Sequence, residues 1–154
     1  MSELKILHAA DLHLDSPFEG LGAAKAAQRR DEQRRLLHRI AQLAEEESVD
    51  IVLLAGDLLD SDSTYAETAE ALASALGSIS APVFISPGNH DFYSPRSPYA
   101  RVKFPENVHI FKNPTPECVA LPKLNANVWG AAFCDKYSAG MLGGFAAADG
   151  TGAK

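Results

Sequence analysis

Gly88-Asn89-His90-Asp91, reached through Val83-Phe84-Ile85-Ser86-Pro87, is the stretch on which the reading of this chain turns. The apolar run has strand character, and Pro87-Gly88 closes it in a tight turn. A turn uses the glycine and the asparagine but has no need of the adjacent His90 and Asp91. Acid–base and ligand side chains are therefore delivered to the C-terminal end of a strand. The pattern occurs twice more upstream. Residues 4–9 lead into Asp11-Leu12-His13, and Ile51-Val52-Leu53-Leu54 leads into Gly56-Asp57-Leu58-Leu59-Asp60. Taken singly, each cluster also reads as an ordinary turn or helix cap. Together, in order and each after a strand, they point to one shared site, because ligands in an open α/β sheet bind at the carboxyl ends of the strands. Carboxylate mixed with imidazole suits manganese, iron or zinc better than calcium, which prefers oxygen alone. A thiolate site is not indicated.

Between the clusters lie helices. Over residues 24–47, Leu36, Leu37, Ile40, Leu43 and Ala44 recur at helical spacing, which predicts an amphipathic helix packed on a sheet. Arg29, Arg30, Arg34, Arg35 and Arg39 are interleaved with Asp31, Glu32 and residues 45–47, so a solvated, ion-paired face is expected rather than a DNA-gripping one. Thr64-Tyr65-Ala66-Glu67 has capping-box spacing and opens a second helix that stops at Gly77. The first strand is expected to be buried, with His8 as a core histidine or one supporting the site, and the second to be a central parallel strand buried on both faces. The order to residue 91 is βαβαβ. After Tyr93, prolines break the regularity, and short runs at 108–111, 118–121 and 127–131 read as meander strands, His109 within the first being structural. Residues 1–133 are expected to form one domain and the Gly/Ala-rich residues 134–154 a loosely held tail. No internal repeat is visible.

Composition narrows the function classes. The chain has 154 residues, 46% of them hydrophobic, enough for a real core in one globular domain. Its formal net charge of -6 offers no broad basic face for a phosphate backbone, so any nucleic-acid contact needs metals, local Lys or Arg, or a partner. Cys118 and Cys134 form neither a CxxC pair nor a disulfide framework, which points to a reduced, cytoplasmic compartment. No apolar stretch approaches the ~20 residues that span a bilayer, and no Walker-type glycine loop is present.

At the three clusters the chain resembles the calcineurin-like metallophosphoesterase superfamily, whose opening motifs D-x-H, G-D-x-x-D and G-N-H-D it matches in order and spacing. Residues 6–18 look most like the SbcD-type DNA repair exonucleases, in particular their YhaO-like branch. The resemblance covers about residues 4–133. It implies the N-terminal part of a four-layer α/β/β/α sandwich, two divalent metals, commonly manganese, and cleavage of DNA phosphodiesters. On the matching positions, Asp11 and His13 would ligate the first metal, Asp57 would bridge both, and Asn89 would hold the second. His90 would act on the scissile group, with Asp91 placed to orient it, and Asp60 would be a supporting residue. Full-length members work with a coiled-coil ATPase of the SbcC kind. Members complete the site with a further histidine and a G-H-x-H motif, whereas here the only histidine after His90 is His109. The expectation for the chain as given is therefore an incomplete ligand set. Three readings remain open at this point: a portion of a DNA exonuclease, a non-catalytic relative whose ligand shells a homodimer completes, or a phosphoesterase acting on a small phosphodiester or phosphomonoester.

Overall fold

In the computed structural model, which describes residues 3–61 and 64–147, four strands form one parallel sheet in the order β1-β2-β3-β4. They are β1 (Ile6–Ala9), β2 (Ile51–Ala55), β3 (Val83–Ser86) and β4 (Val108–Ile110). Helix α1 (Ala23–Glu46) links the first two strands and α2 (Ala66–Gly77) the next two. The short α3 (Pro98–Arg101) sits in the crossover from β3 to β4. A hairpin of β5 (Glu117–Leu121) and β6 (Ala126–Gly130) follows as a separate antiparallel pair. The architecture is mixed α/β and matches the N-terminal part of a metallophosphoesterase fold.

Helices cover one sheet face. Leu37, Ala41 and Ala44 of α1 and Leu72, Ala75 and Leu76 of α2 pack with Val52, Leu54, Val83 and Ile85 into the main core. On the other face a smaller cluster of Ile51, Phe84, Phe111 and Ala132 is joined by Val119, Leu121 and Val128 of the hairpin. Strand β2 is buried along most of its length, as its unbroken apolar run predicts.

Several expectations change in the folded chain. Strand β1 lies at the sheet edge and is not buried: Leu7 and Ala9 pack on the main core, while Ile6 and His8 point to the opposite side and are exposed. His8 is thus no core histidine. Residues 108–110, expected to open the meander, pair parallel with β3, because α3 carries the chain back across the sheet. The capping box is not formed. Tyr65 holds the N-cap position, and the Thr64 hydroxyl donates to the Ser61 carbonyl instead. Gly77 ends α2 as its last helical residue rather than in a left-handed cap. A Cβ there would lie 2.7 Å from the Pro105 ring, so close approach requires the glycine. On α1, Leu36 and Leu43 are exposed, and the buried stripe runs instead through Ala26, Leu37, Ala41 and Ala44.

The arginine-rich face is ion-paired at several points: Arg29 with Glu32 at 2.7 Å, Arg39 with Glu46 at 3.2 Å, and Arg34 with Asp15 at 3.3 Å. Both cysteines are free and exposed. No helix among the described residues is long and apolar enough to cross a membrane. Residues 134–147 contain turns but no helix or strand, and Phe145 packs edge-on against Trp129. The rest of the expected tail, residues 148–154, lies outside the described residues.

Candidate metal centre

The three loops meet because their backbones are laced together. Past the end of β1 and β2 the pairing continues: the amides of Asp11, His13 and Leu14 donate to the carbonyls of Gly56, Asp57 and Leu58 at 3.0, 2.9 and 2.9 Å. The Asp60 amide returns the bond to the Leu14 carbonyl at 2.9 Å. Leu14, Leu58 and Leu59 are fully buried, so the apolar members of the motifs act as anchors while their polar neighbours stay nearer the surface. Helix α1 braces the first loop, since the Gln33 side-chain amide donates to the His13 carbonyl at 3.0 Å.

The third loop is tied in by Asp91. Its buried carboxylate accepts the amides of Gly88 (2.7 Å), Leu58 (2.9 Å), Asp57 (3.2 Å) and Leu59 (3.2 Å), together with the Tyr99 hydroxyl (2.5 Å). Five charge-assisted hydrogen bonds satisfy a carboxylate that burial would otherwise disfavour strongly. None of these partners is the His90 ring. The expected role of Asp91 in orienting His90 therefore gives way to another: it fastens the His90 loop to the Asp57 loop. Tyr99 keeps its proton, because burial first and the facing Asp91 carboxylate second push its pKa well above the usual value.

Asp11, His13 and Asp57 each offer a ligand atom, and these atoms lie within 4.8 Å of one another. A second such group, His13, Asp60 and His90, shares His13 with the first. The backbone at Asp11 (φ 55°), His13 (φ 45°) and Asp57 (φ 51°) is left-handed, a conformation that non-glycine residues seldom adopt and that clusters at functional sites. Among the described residues nothing pairs with the Asp11 carboxylate. Two carboxylates gathered with an imidazole, and no lysine or arginine in the group, fit a divalent cation of the kind that accepts oxygen and nitrogen donors. One oxygen of Asp57, Oδ1, is held by the His90 amide at 3.0 Å, which leaves Oδ2 to ligate.

Asp60 is better placed than its sequence position suggested. His13 Nδ1 lies 3.1 Å from Asp60 Oδ1, the carboxylate–histidine pairing that fixes a ligating ring and leaves Nε2 for the metal. His90 stands edge-on to His13 with ring centres 5.0 Å apart, and its Nδ1 lies 3.3 Å from the Asp60 carbonyl oxygen. Asn89 is exposed and lines, with His90 and Asp60, a cleft of about 200 Å³. His109 is remote from this group in its contacts: it packs on Phe84 and Phe111 and faces Glu117 at 3.5 Å. Tyr99, which holds Asp91, carried no signal in the sequence.

A parallel sheet whose strand ends gather carboxylates and imidazoles defines a metal-dependent phosphoesterase class, and the sequence profile of calcineurin-like phosphoesterases matches residues 4–139; the chain belongs to that family. It is similar to the uncharacterized metallophosphoesterase YhaO of Bacillus subtilis (strain 168), with 33% identity over 123 residues, 76% of this chain and 30% of the relative. It is also similar to SbcD, a component of the nuclease SbcCD of the same organism, with 27% identity over 118 residues, 74% of this chain and 29% of the relative. The chain thus spans about 30% of the length of these curated relatives.

Proposed function

We propose that this chain carries the first three ligand-bearing loops of a DNA exonuclease, with Asp11, His13, Asp57 and Asn89 holding two divalent ions, manganese foremost. The observation that supports this most is the convergence of Asp11, His13 and Asp57 within 4.8 Å from separate loops. Likeness to the SbcD component of a nuclease favours DNA as the substrate and a coiled-coil ATPase as partner. A cytoplasmic setting and a homodimer that completes the ligand shells belong to the same reading.

Bound ions supply positive charge to the phosphoryl oxygens and lower the pKa of a ligated water. The protein's own groups do the positioning. Asp60 holds His13 in one ring orientation, and the His90 amide holds Asp57. A carbonyl can only accept, so the His90 Nδ1 proton is directed at the Asp60 carbonyl in that contact. The protonated ring then has Nε2–H to offer the leaving oxygen, as a general acid requires.

The test is release of end-labelled nucleotides from linear DNA by the wild type with Mn2+, beside Asp57→Ala. Loss of release in the variant is expected; equal release by both, or none by the wild type, refutes the reading. The net charge of -6 favours a second reading, hydrolysis of a small phosphodiester or phosphomonoester, which needs no grip on a polymer. Turnover of small phosphoesters without turnover of DNA would select it.

A further inference from the structure

Lys136 and Tyr137 complete the cleft formed by Asp60, Ser61, Asn89 and His90. Their loop is fixed where it leaves the fold. The Phe133 amide donates to the Pro87 carbonyl at 3.0 Å, the Tyr93 amide donates to the Phe133 carbonyl at 2.7 Å, and the Ser86 hydroxyl donates to the Ala131 carbonyl. Residues 131–133 are thereby bonded to the end of β3 and to the segment just past Asp91, and the next few residues emerge at the mouth of the site. Tyr137 is 90% exposed, and among the described residues its ring packs on no other and its hydroxyl has no partner. The Lys136 ammonium likewise has no ion pair there.

Size and charge indicate what the pair receives. A cleft of about 200 Å³ is smaller than the ~300 to 1,000 Å³ of ordinary ligand pockets. It admits a phosphate and part of a sugar and leaves an attached base outside, where the Tyr137 ring stands. Asp11, Asp57 and Asp60 repel a phosphate unless cations offset them, and Lys136 is the lysine lining this cleft. A base stacks on an exposed ring only when it has left its own helical stack.

We infer that Lys136 and Tyr137 form a platform for the unstacked terminal nucleotide of a nucleic-acid strand, Lys136 contacting a phosphate and Tyr137 stacking on the base. This rests on the phosphodiesterase reading of the same site. The probe is a short single strand with hydrolysis-resistant phosphorothioate ends, carrying 2-aminopurine or an abasic residue at either terminus, titrated with Mn2+ present. Tyr137→Ala weakens binding of the base-ended strand by roughly 5- to 150-fold, the worth of one base–aromatic stack. Tyr137→Phe binds like the wild type, and the abasic strand does not distinguish the three proteins. Lys136→Gln lowers the slope of log affinity against log salt by about 0.7.

A loss in Tyr137→Ala that is equal for both strands, or no loss, overturns the platform. Tyr137-independent hydrolysis of an unmodified strand overturns it while leaving the phosphodiesterase reading intact. Tyr137-dependent binding with no hydrolysis by the wild type supports the platform and sinks catalysis alone. A wild type that binds neither strand sinks both.

Discussion

Gly88 packs directly on Asp57: a Cβ at Gly88 would stand 2.2 Å from the Asp57 Oδ1 and 2.6 Å from its amide nitrogen. The third loop approaches the second at a point where only a hydrogen fits. Gly88→Ala must push the Asp57 carboxylate aside, at a cost of about 1 to 3 kcal/mol from overpacking. Thermal unfolding should show that loss, and calorimetry should show weaker Mn2+ binding. Unchanged metal affinity would mean that the Asp57 position is not what gathers the ion.

Asp91 is a fastener between loops, so removing it should be felt in stability before chemistry. Asp91→Ala leaves four amides and the Tyr99 hydroxyl without their acceptor, a loss of roughly 3 kcal/mol or more. Urea unfolding measures it directly. A variant as stable as the wild type but catalytically impaired would return Asp91 to the role of orienting His90.

Tyr99 makes stability sensitive to alkali. Burial and the Asp91 carboxylate hold its folded pKa well above 10.0, whereas in the unfolded chain it ionises near its ordinary value of about 10. Above that pH the unfolded state binds fewer protons than the folded state, so this contribution is complete below pH ~10 and falls by about 1.4 kcal/mol per pH unit beyond it. Tyr99→Phe should be less stable at neutral pH yet lack this share of the alkaline decline. Parallel decline in both proteins between pH 9 and 11, on a scale of unfolding free energy, would contradict the assignment.

Asp60→Asn tests the pairing with His13. Losing the carboxylate that orients a ligating histidine costs roughly 10- to 100-fold in metal affinity. The fold should be unchanged by circular dichroism, since Asp60 is only half-buried. Wild-type affinity in this variant would show that Asp60 is a bystander.

The clusters and the strands that present them were legible in the sequence, because ligand-type residues at the end of an apolar run leave a local signature. The same holds for β2, whose unbroken Ile51-Val52-Leu53-Leu54 run needs cover on both faces. What could not be read locally depends on pairing between distant segments. The exposure of Ile6 and His8 follows from the place of β1 at the sheet edge. The parallel pairing of residues 108–110 follows from a crossover whose helix is a single short turn after Pro98. Asp91 looked like a partner for its neighbour His90, but its side chain faces amides 32 to 34 residues earlier in the chain and Tyr99. Adjacency in a motif does not fix which way a side chain points.

The central claim is that Asp11, His13 and Asp57 gather a divalent ion. Crystals soaked in Mn2+ and measured for anomalous scattering test it most directly. The predicted result is a peak within coordination distance of all three side chains, lost in Asp57→Ala. A soaked crystal with no peak there, or with manganese bound only elsewhere on the chain, would contradict it.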